Sequence, residues 1–315
     1  MVTIGVDLGG TNIVVGVVDE AYTIVAKTKC KTRAERSAEE IMQDIAALCR
    51  DAVKEAGLTM ADVASVGIGC PGTCNTATGC VEYANNLNFN NVPIVKRVNE
   101  LLGVPVYINN DANAAALGEA VAGAAKGAES CVCITLGTGV GGGVIIDGKI
   151  YDGCNYAGAE LGHVVIQMHG EPCTCGRNGC WEAYASATAL VRQTKEAMKN
   201  NPDSAMWGLV NGDIDRVSGL TAFDGMRAGD ASATAVVEQY IDYVACGMID
   251  MINIFQPEVV CISGGISHEG ETLLAPLRKK AEQERYSKFC ERQSKIVAAV
   301  LGNDAGVIGA ACLGR

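Results

Sequence analysis

The chain has 315 residues, more than one hydrophobic core usually fills, so two domains are expected. Acidic residues outnumber basic ones 36 to 25, a net charge of −11, which argues against a nucleic-acid face built from clustered Lys and Arg. No apolar run reaches the length of a membrane span, and the first residues lead into a strand without a basic leader; the fifteen cysteines, an odd count, fit buried thiols of a reducing, cytoplasmic setting better than a disulfide framework.

In chain order, β-branched enrichment and tight turns predict three strands over residues 1–7, 13–19 and 22–29, with Gly9-Gly10 making the first turn. Ser37 and Glu40 have the spacing of a capping box, and Ile41, Ile45, Leu48, Ala52 and Val53 follow at helical intervals until Gly57. A strand over 63–69, a helix near 94–102 and a strand over 104–109 complete this half. The pattern then restarts: the stretch 132–139 resembles 4–11, with Leu8, Gly9 and Asp19 matched at a fixed offset by Leu136, Gly137 and Asp147. Helices are predicted over 184–200, 231–255, 269–286 and from about 305, and strands over 258–263 and 296–300. The Gly-rich stretch 202–230 reads as loop with short helical pieces. A repeat of this length is a duplicated domain. The predicted fold class is therefore α/β, a duplicated actin-like (ribonuclease H-like) two-lobed fold with a cleft between the lobes. The expected division is a small lobe over 1–111, completed by about 301–315, and a large lobe over 112–300.

Three glycine patterns fail on context. Gly67-x-Gly69-x-x-Gly72 contains Pro71 and is followed by a polar run, not by a helix. Gly137-x-Gly139-x-x-Gly142 lies between two strands. Gly143-x-x-x-x-Gly148-Lys149 is followed by Ile150 where a phosphate loop needs Ser or Thr, and Asp147-Gly148 makes a better hairpin turn.

Asp7-Leu-Gly-Gly-Thr-Asn12 differs by its position at a strand end. The amides of Gly9, Gly10 and Thr11 can cradle phosphate oxygens, and Asp7 can hold Mg²⁺ through water; a plain hairpin turn is the alternative. The second copy, through Gly137, Thr138 and Gly139, offers a matching turn. Asn110-Asp111 ends a strand and opens a helix. A carboxylate there can accept a hydroxyl proton during phosphoryl transfer, but position alone favours an ordinary helix cap. Cys173, Cys175 and Cys180 with one imidazole make a closed Cys₃His zinc set, for which His163 and His169 both compete as the fourth ligand.

Together these stretches resemble the ROK family of bacterial sugar kinases and sugar-responsive repressors, and within it the Gram-positive-type glucokinases. The matching runs are 7–12, 67–72, 110–119, 136–143, 158–163, 173–182, 262–267 and 301–311. The resemblance implies an enzyme that uses ATP and Mg²⁺ to phosphorylate a hexose, glucose first, with mannose, N-acetylmannosamine, N-acetylglucosamine, allose or fructose as alternatives. It implies that Asp111 is the general base, that Gly72, Asn110, Glu160, His163 and Glu182 bind sugar, and that Gly264 and Gly265 approach the adenosine. His163 would also join Cys173, Cys175 and Cys180 around a structural Zn²⁺ in the loop 163–182, and the protein would be a homodimer or homotetramer. One departure is Asn12, where the family often has Lys. A regulator of the same family would carry a DNA-binding domain ahead of Asp7, and only six residues stand there.

Overall fold

The computed structural model describes residues 1–315. The chain opens with β1 (Val2–Leu8), β2 (Asn12–Val18) and β3 (Ile24–Lys31), followed by α1 (Ala38–Glu55) and β4 (Val63–Cys70). Three short strands follow, β5 (Thr73–Asn75), β6 (Cys80–Ala84) and β7 (Phe89–Val92). Then come α2 (Ile94–Leu102), β8 (Val106–Asn110) and α3 (Asp111–Val121). The second half has β9 (Cys131–Leu136), β10 (Val140–Ile146), β11 (Lys149–Ile150), α4 (Glu182–Ala185), α5 (Ala187–Asn200), α6 (Met206–Leu209), α7 (Thr221–Arg227) and α8 (Ala231–Phe255). It ends with β12 (Val259–Ser263), α9 (Glu271–Glu284), β13 (Lys295–Ala298) and α10 (Ala305–Ala311). None of these helices is long and apolar enough to cross a membrane.

The duplication is visible as topology. One sheet runs β3-β2-β1-β4-β8 and another runs β11-β10-β9-β12-β13, the same order with the same hairpins; β5, β6 and β7 form a separate small sheet. In the first sheet β1 pairs antiparallel with β2 and parallel with β4, and β4 pairs parallel with β8. Strand β1 is buried at nearly every position, as a central strand covered on both faces should be, whereas the edge strand β3 alternates. Contacts divide the chain into one unit of residues 1–131, 143–159 and 300–315, and a second of 132–142 and 160–299. Helix α3, expected with the large lobe, thus groups with the first unit.

The reason is α10. A β-carbon on Gly5 would collide with the Val307 carbonyl, and one on Gly309 would collide with the Ala114 carbonyl. The last helix therefore lies backbone to backbone on both β1 and α3. Gly309→Ala is expected to cost about 1–3 kcal/mol of stability, read from urea melts. An unchanged midpoint would show that α3 and α10 do not meet this closely.

Helix α1 carries the predicted capping box: the Glu40 amide donates to Ser37 Oγ at 3.3 Å and the Ser37 amide donates to Glu40 Oε2 at 3.0 Å. The helix expected over 184–200 is two helices. Ser186 is extended, with φ −75° and ψ 161°, and its hydroxyl caps α5 by accepting from the Ala189 amide. The helix expected from 269 starts at Glu271, because Gly270 has φ 57° and ends a preceding tight turn. The small sheet over 73–92 has no counterpart in the sequence reading; its strands are three to five residues long, too short to show a clear alternation.

Candidate functional site

In the first unit, β1 delivers Asp7 to the turn that joins it to β2. The Gly9 amide donates to the Asn12 carbonyl at 3.0 Å, so it shapes the turn, and the donors left for a phosphate are the amides of Gly10 and Thr11. Thr32 braces the same turn, its hydroxyl donating to the Gly9 carbonyl at 2.6 Å. Asn12 is exposed and stands opposite Lys31 of β3. Cross-strand partners share a face, so a cation flanks the position where the family often has Lys. Burial pushes the Asp7 carboxyl up to about 6, the negative charge of Asp111 adds to that, and Lys27 opposes it.

The contest at 110–111 resolves by geometry. Asn110 is the cap of α3: its Oδ1 accepts from the amides of Ala112 at 2.9 Å and Asn113 at 3.2 Å, while its Nδ2 donates to the Gly72 carbonyl at 3.1 Å. Asp111 is the first helical residue, and its Oδ1 accepts from the Ala112 amide at 2.9 Å. Burial raises its pKa above the ordinary carboxylate value, with those amide bonds pulling the other way. Gly72 has φ 90°, a conformation that favours glycine, and a side chain there would strike the Tyr83 carbonyl.

Beneath Asn110 lies a support that the sequence reading lacks. Asn109 Nδ2 donates to Asp152 Oδ1 at 2.9 Å, and Asn109 Oδ1 accepts from the Asn110 amide at 2.7 Å and from Asn113 Nδ2 at 3.1 Å. The spacing of Asn109 and Asn113, four apart at a helix start, is a usable signal; Asp152 has none.

In the second unit, the turn through Gly137, Thr138 and Gly139 is tied to the start of α5. The Ala187 amide donates to the Gly137 carbonyl at 2.8 Å, and the Thr188 hydroxyl donates to the Thr138 carbonyl at 2.7 Å. Gly264, at φ 87°, packs on the backbone of Leu136, so the loop of Gly264 and Gly265 borders this turn. Glu182 opens α4, and its Oε2 accepts from the Val140 amide at 3.0 Å, just past the turn. Glu160 is exposed, and its carbonyl accepts from the His163 amide at 3.1 Å.

His163, Cys173, Cys175 and Cys180 converge, with their ligand atoms all within 4.8 Å of one another. His163 Nδ1 is 3.6 Å from Cys173 Sγ, and the Cys175 and Cys180 sulfurs are also 3.6 Å apart. A tetrahedron with Zn–S near 2.3 Å and Zn–N near 2.0 Å has edges of about 3.5–3.8 Å, so the donor set and its spacing fit zinc. His169 is exposed and outside the cluster, so His163 is the imidazole that meets the three sulfurs. The loop is a tight knuckle: the Cys173 amide donates to the Arg177 carbonyl at 2.8 Å and the Gly176 amide to the Cys173 carbonyl at 3.0 Å. The buried Trp181 anchors its end, donating from Nε1 to the Tyr243 carbonyl at 2.8 Å.

Comparison with known proteins finds relatives over the whole chain. The ROK family model matches residues 3–315. The chain belongs to the ROK family. It is 39% identical to the glucokinase of Thermotoga maritima over 314 residues, covering 98% of this chain and 96% of that protein. It is 37% identical to the glucokinase of Streptomyces coelicolor, covering 99% and 97%. A solved ROK glucokinase from Streptomyces griseus, in complex with glucose and AMPPNP, superposes with a TM-score of 0.80 at 38% identity, over 99% of both chains. The ROK chain therefore has the duplicated two-lobed α/β fold of the actin-like sugar kinases.

Proposed function

We propose that this ROK protein is an ATP-dependent hexose kinase that phosphorylates glucose at O6. The observation that carries the proposal is Asp111. Its neighbour Asn110 takes the cap, which leaves a half-buried carboxylate of raised pKa close enough to Asp7 for their charges to interact. Similarity at 36–39% identity to glucokinases supports the substrate class.

Asp111 accepts the proton of the sugar O6 hydroxyl as the bond from that oxygen to the γ-phosphorus forms and the bond to the β-γ bridging oxygen breaks. A raised pKa makes it a stronger base once ionised. Asn110, held by Gly72, and Gly72 itself orient the sugar. Glu160 and Glu182 bind its remaining hydroxyls with charge-assisted hydrogen bonds, and His163 adds an imidazole N–H donor. The amides of Gly10, Thr11, Thr138 and Gly139 receive the phosphates, and Gly264 and Gly265 approach the adenosine. Asp7 would hold Mg²⁺ through water, where the ion neutralises phosphate charge. His163, Cys173, Cys175 and Cys180 would hold a zinc ion with all four positions filled by protein, so that it would serve structure alone. The thiol-rich chain fits a cytoplasmic enzyme, and a homodimer or homotetramer is proposed.

The deciding experiment is ADP release from Mg-ATP across a panel of hexoses and N-acetylhexosamines. Glucose should give the highest kcat/KM. Turnover of another hexose with none on glucose would overturn the substrate, and no turnover on any sugar would overturn the kinase.

A further inference from the structure

Glu119 sits near the end of α3, the helix that Asp111 starts, and is only 2% exposed. A buried carboxylate is costly unless its oxygens are satisfied. Here three backbone amides satisfy them, with no cation involved. Oε2 accepts from Ala124 N at 2.8 Å, Oε1 accepts from Leu301 N at 2.9 Å, and the Val300 amide is shared between the two oxygens at 3.2 and 3.3 Å. Val300 and Leu301 are the first residues of the segment that returns to the first unit.

That segment leads within one turn to α10, and α10 backs the other acid of the site. A β-carbon on Gly306 would lie 3.1 Å from both Cγ and Oδ2 of Asp7. Asp304, at the turn into α10, pairs with Lys27, the residue whose charge offsets the rise at Asp7. Helices α3 and α10 are also in backbone contact where Gly309 meets Ala114. The carboxylate of Glu119 thus fixes the entry of α10 against the far end of α3. From Asp111 to Glu119 is about 12 Å along one rigid helix.

We propose that Glu119 is a positioning residue for the phosphoryl transfer: by holding Val300 and Leu301 it sets α10 behind Asp7 and keeps Asp7 in register with Asp111. This rests on the kinase reading given above. Sub-ångström errors between reacting groups and their metal are enough to slow transfer, while sugar binding, which uses other residues, is spared.

Glu119→Gln keeps the shape but turns an amide NH₂ toward N–H donors. At 25 °C, with folding verified by circular dichroism, kcat should fall about tenfold, on the scale of a small misplacement of reacting groups. The Mg²⁺ concentration for half-maximal rate should rise severalfold, and the glucose KM should change little. A purely structural Glu119 would lower the melting temperature and leave kcat and the Mg²⁺ dependence unmoved, which overturns the proposal. Gly306→Ala leaves every Glu119 bond intact and pushes on Asp7 directly. It should reproduce the Mg²⁺ shift, and it carries the test if Glu119→Gln does not fold; no shift there also overturns the proposal. An active parent with unmoved variants defeats this inference alone, whereas a parent inactive on every hexose defeats the kinase reading and this inference together.

Discussion

Asp111→Ala is expected to lower kcat by roughly 10²–10⁴, the range for a lost general base, with KM for ATP and glucose changed far less. The structure separates this from a folding effect. The helix cap belongs to Asn110, whose Oδ1 holds the amides of Ala112 and Asn113. The loss of about 1 kcal/mol that accompanies a missing cap should therefore be larger in Asn110→Ala than in Asp111→Ala, which gives up only a bond to the Ala112 amide that Asn110 shares. Rate and stability thus report on different neighbours. The pH dependence adds a second check. A base acts only when ionised, so kcat/KM rises with pH through its pKa and is lost as pH falls. Burial raises the Asp111 pKa, so the acidic limb of the parent should lie above the ordinary carboxylate range. Asp7, pushed up to about 6 in part by Asp111, contributes to the same limb. Removing Asp111 takes away that push, so the limb of the residual activity should move to lower pH. A turnover number near the parent's, with an unmoved limb, would sink the catalytic role.

The sequence made some of this legible and not the rest, for physical reasons. Strands and long helices with strong periodicity are legible: the helix expected over 231–255 is α8, and the repeat of 4–11 at 132–139 points to a duplicated domain, seen as two sheets of the same strand order. Residues whose chemistry is rare in a loop, the three cysteines of 173–180, were visible for the same reason. The choice between His163 and His169 was not, since each lies upstream of the cysteines at a plausible spacing, and only the fold shows which imidazole reaches the sulfurs. Position alone favours a cap at 110–111; the cap is there, on Asn110, while Asp111 bonds only the Ala112 amide. Asp152, Glu119 and the bracing of Gly9 and Thr11 by Thr32 act through contacts distant in sequence, so no local pattern announces them.

Cys175→Ala is expected to release the metal and raise the glucose KM by roughly 10–100-fold, the usual effect of disturbing a site's supporting shell. His163 offers Nδ1 to the cluster, which leaves Nε2 for a sugar hydroxyl, and Glu182 lies two residues after Cys180 at the start of α4. Both proposed sugar ligands are therefore set by the same knuckle. The zinc loop and the phosphate turns are far apart in sequence, yet the geometry joins them. One oxygen of Glu182 accepts from the Val140 amide at 3.0 Å, the other lies 3.9 Å from Cys173 Sγ, and a β-carbon on Gly139 would collide with that carboxylate. Glu182 links the knuckle to the end of the turn through Gly137, Thr138 and Gly139. Loss of the metal should therefore weaken ATP as well, by less than it weakens glucose. Metal analysis of the parent should find one zinc per chain. The control is Cys290→Ala, an exposed thiol outside the cluster, which should keep its zinc and both KM values. A zinc-free parent, or a Cys175→Ala protein whose glucose KM matches the parent's, would overturn the coupling. A glucose KM that rises while direct titration shows ATP affinity unmoved would confine the coupling to the sugar and break the link through Glu182.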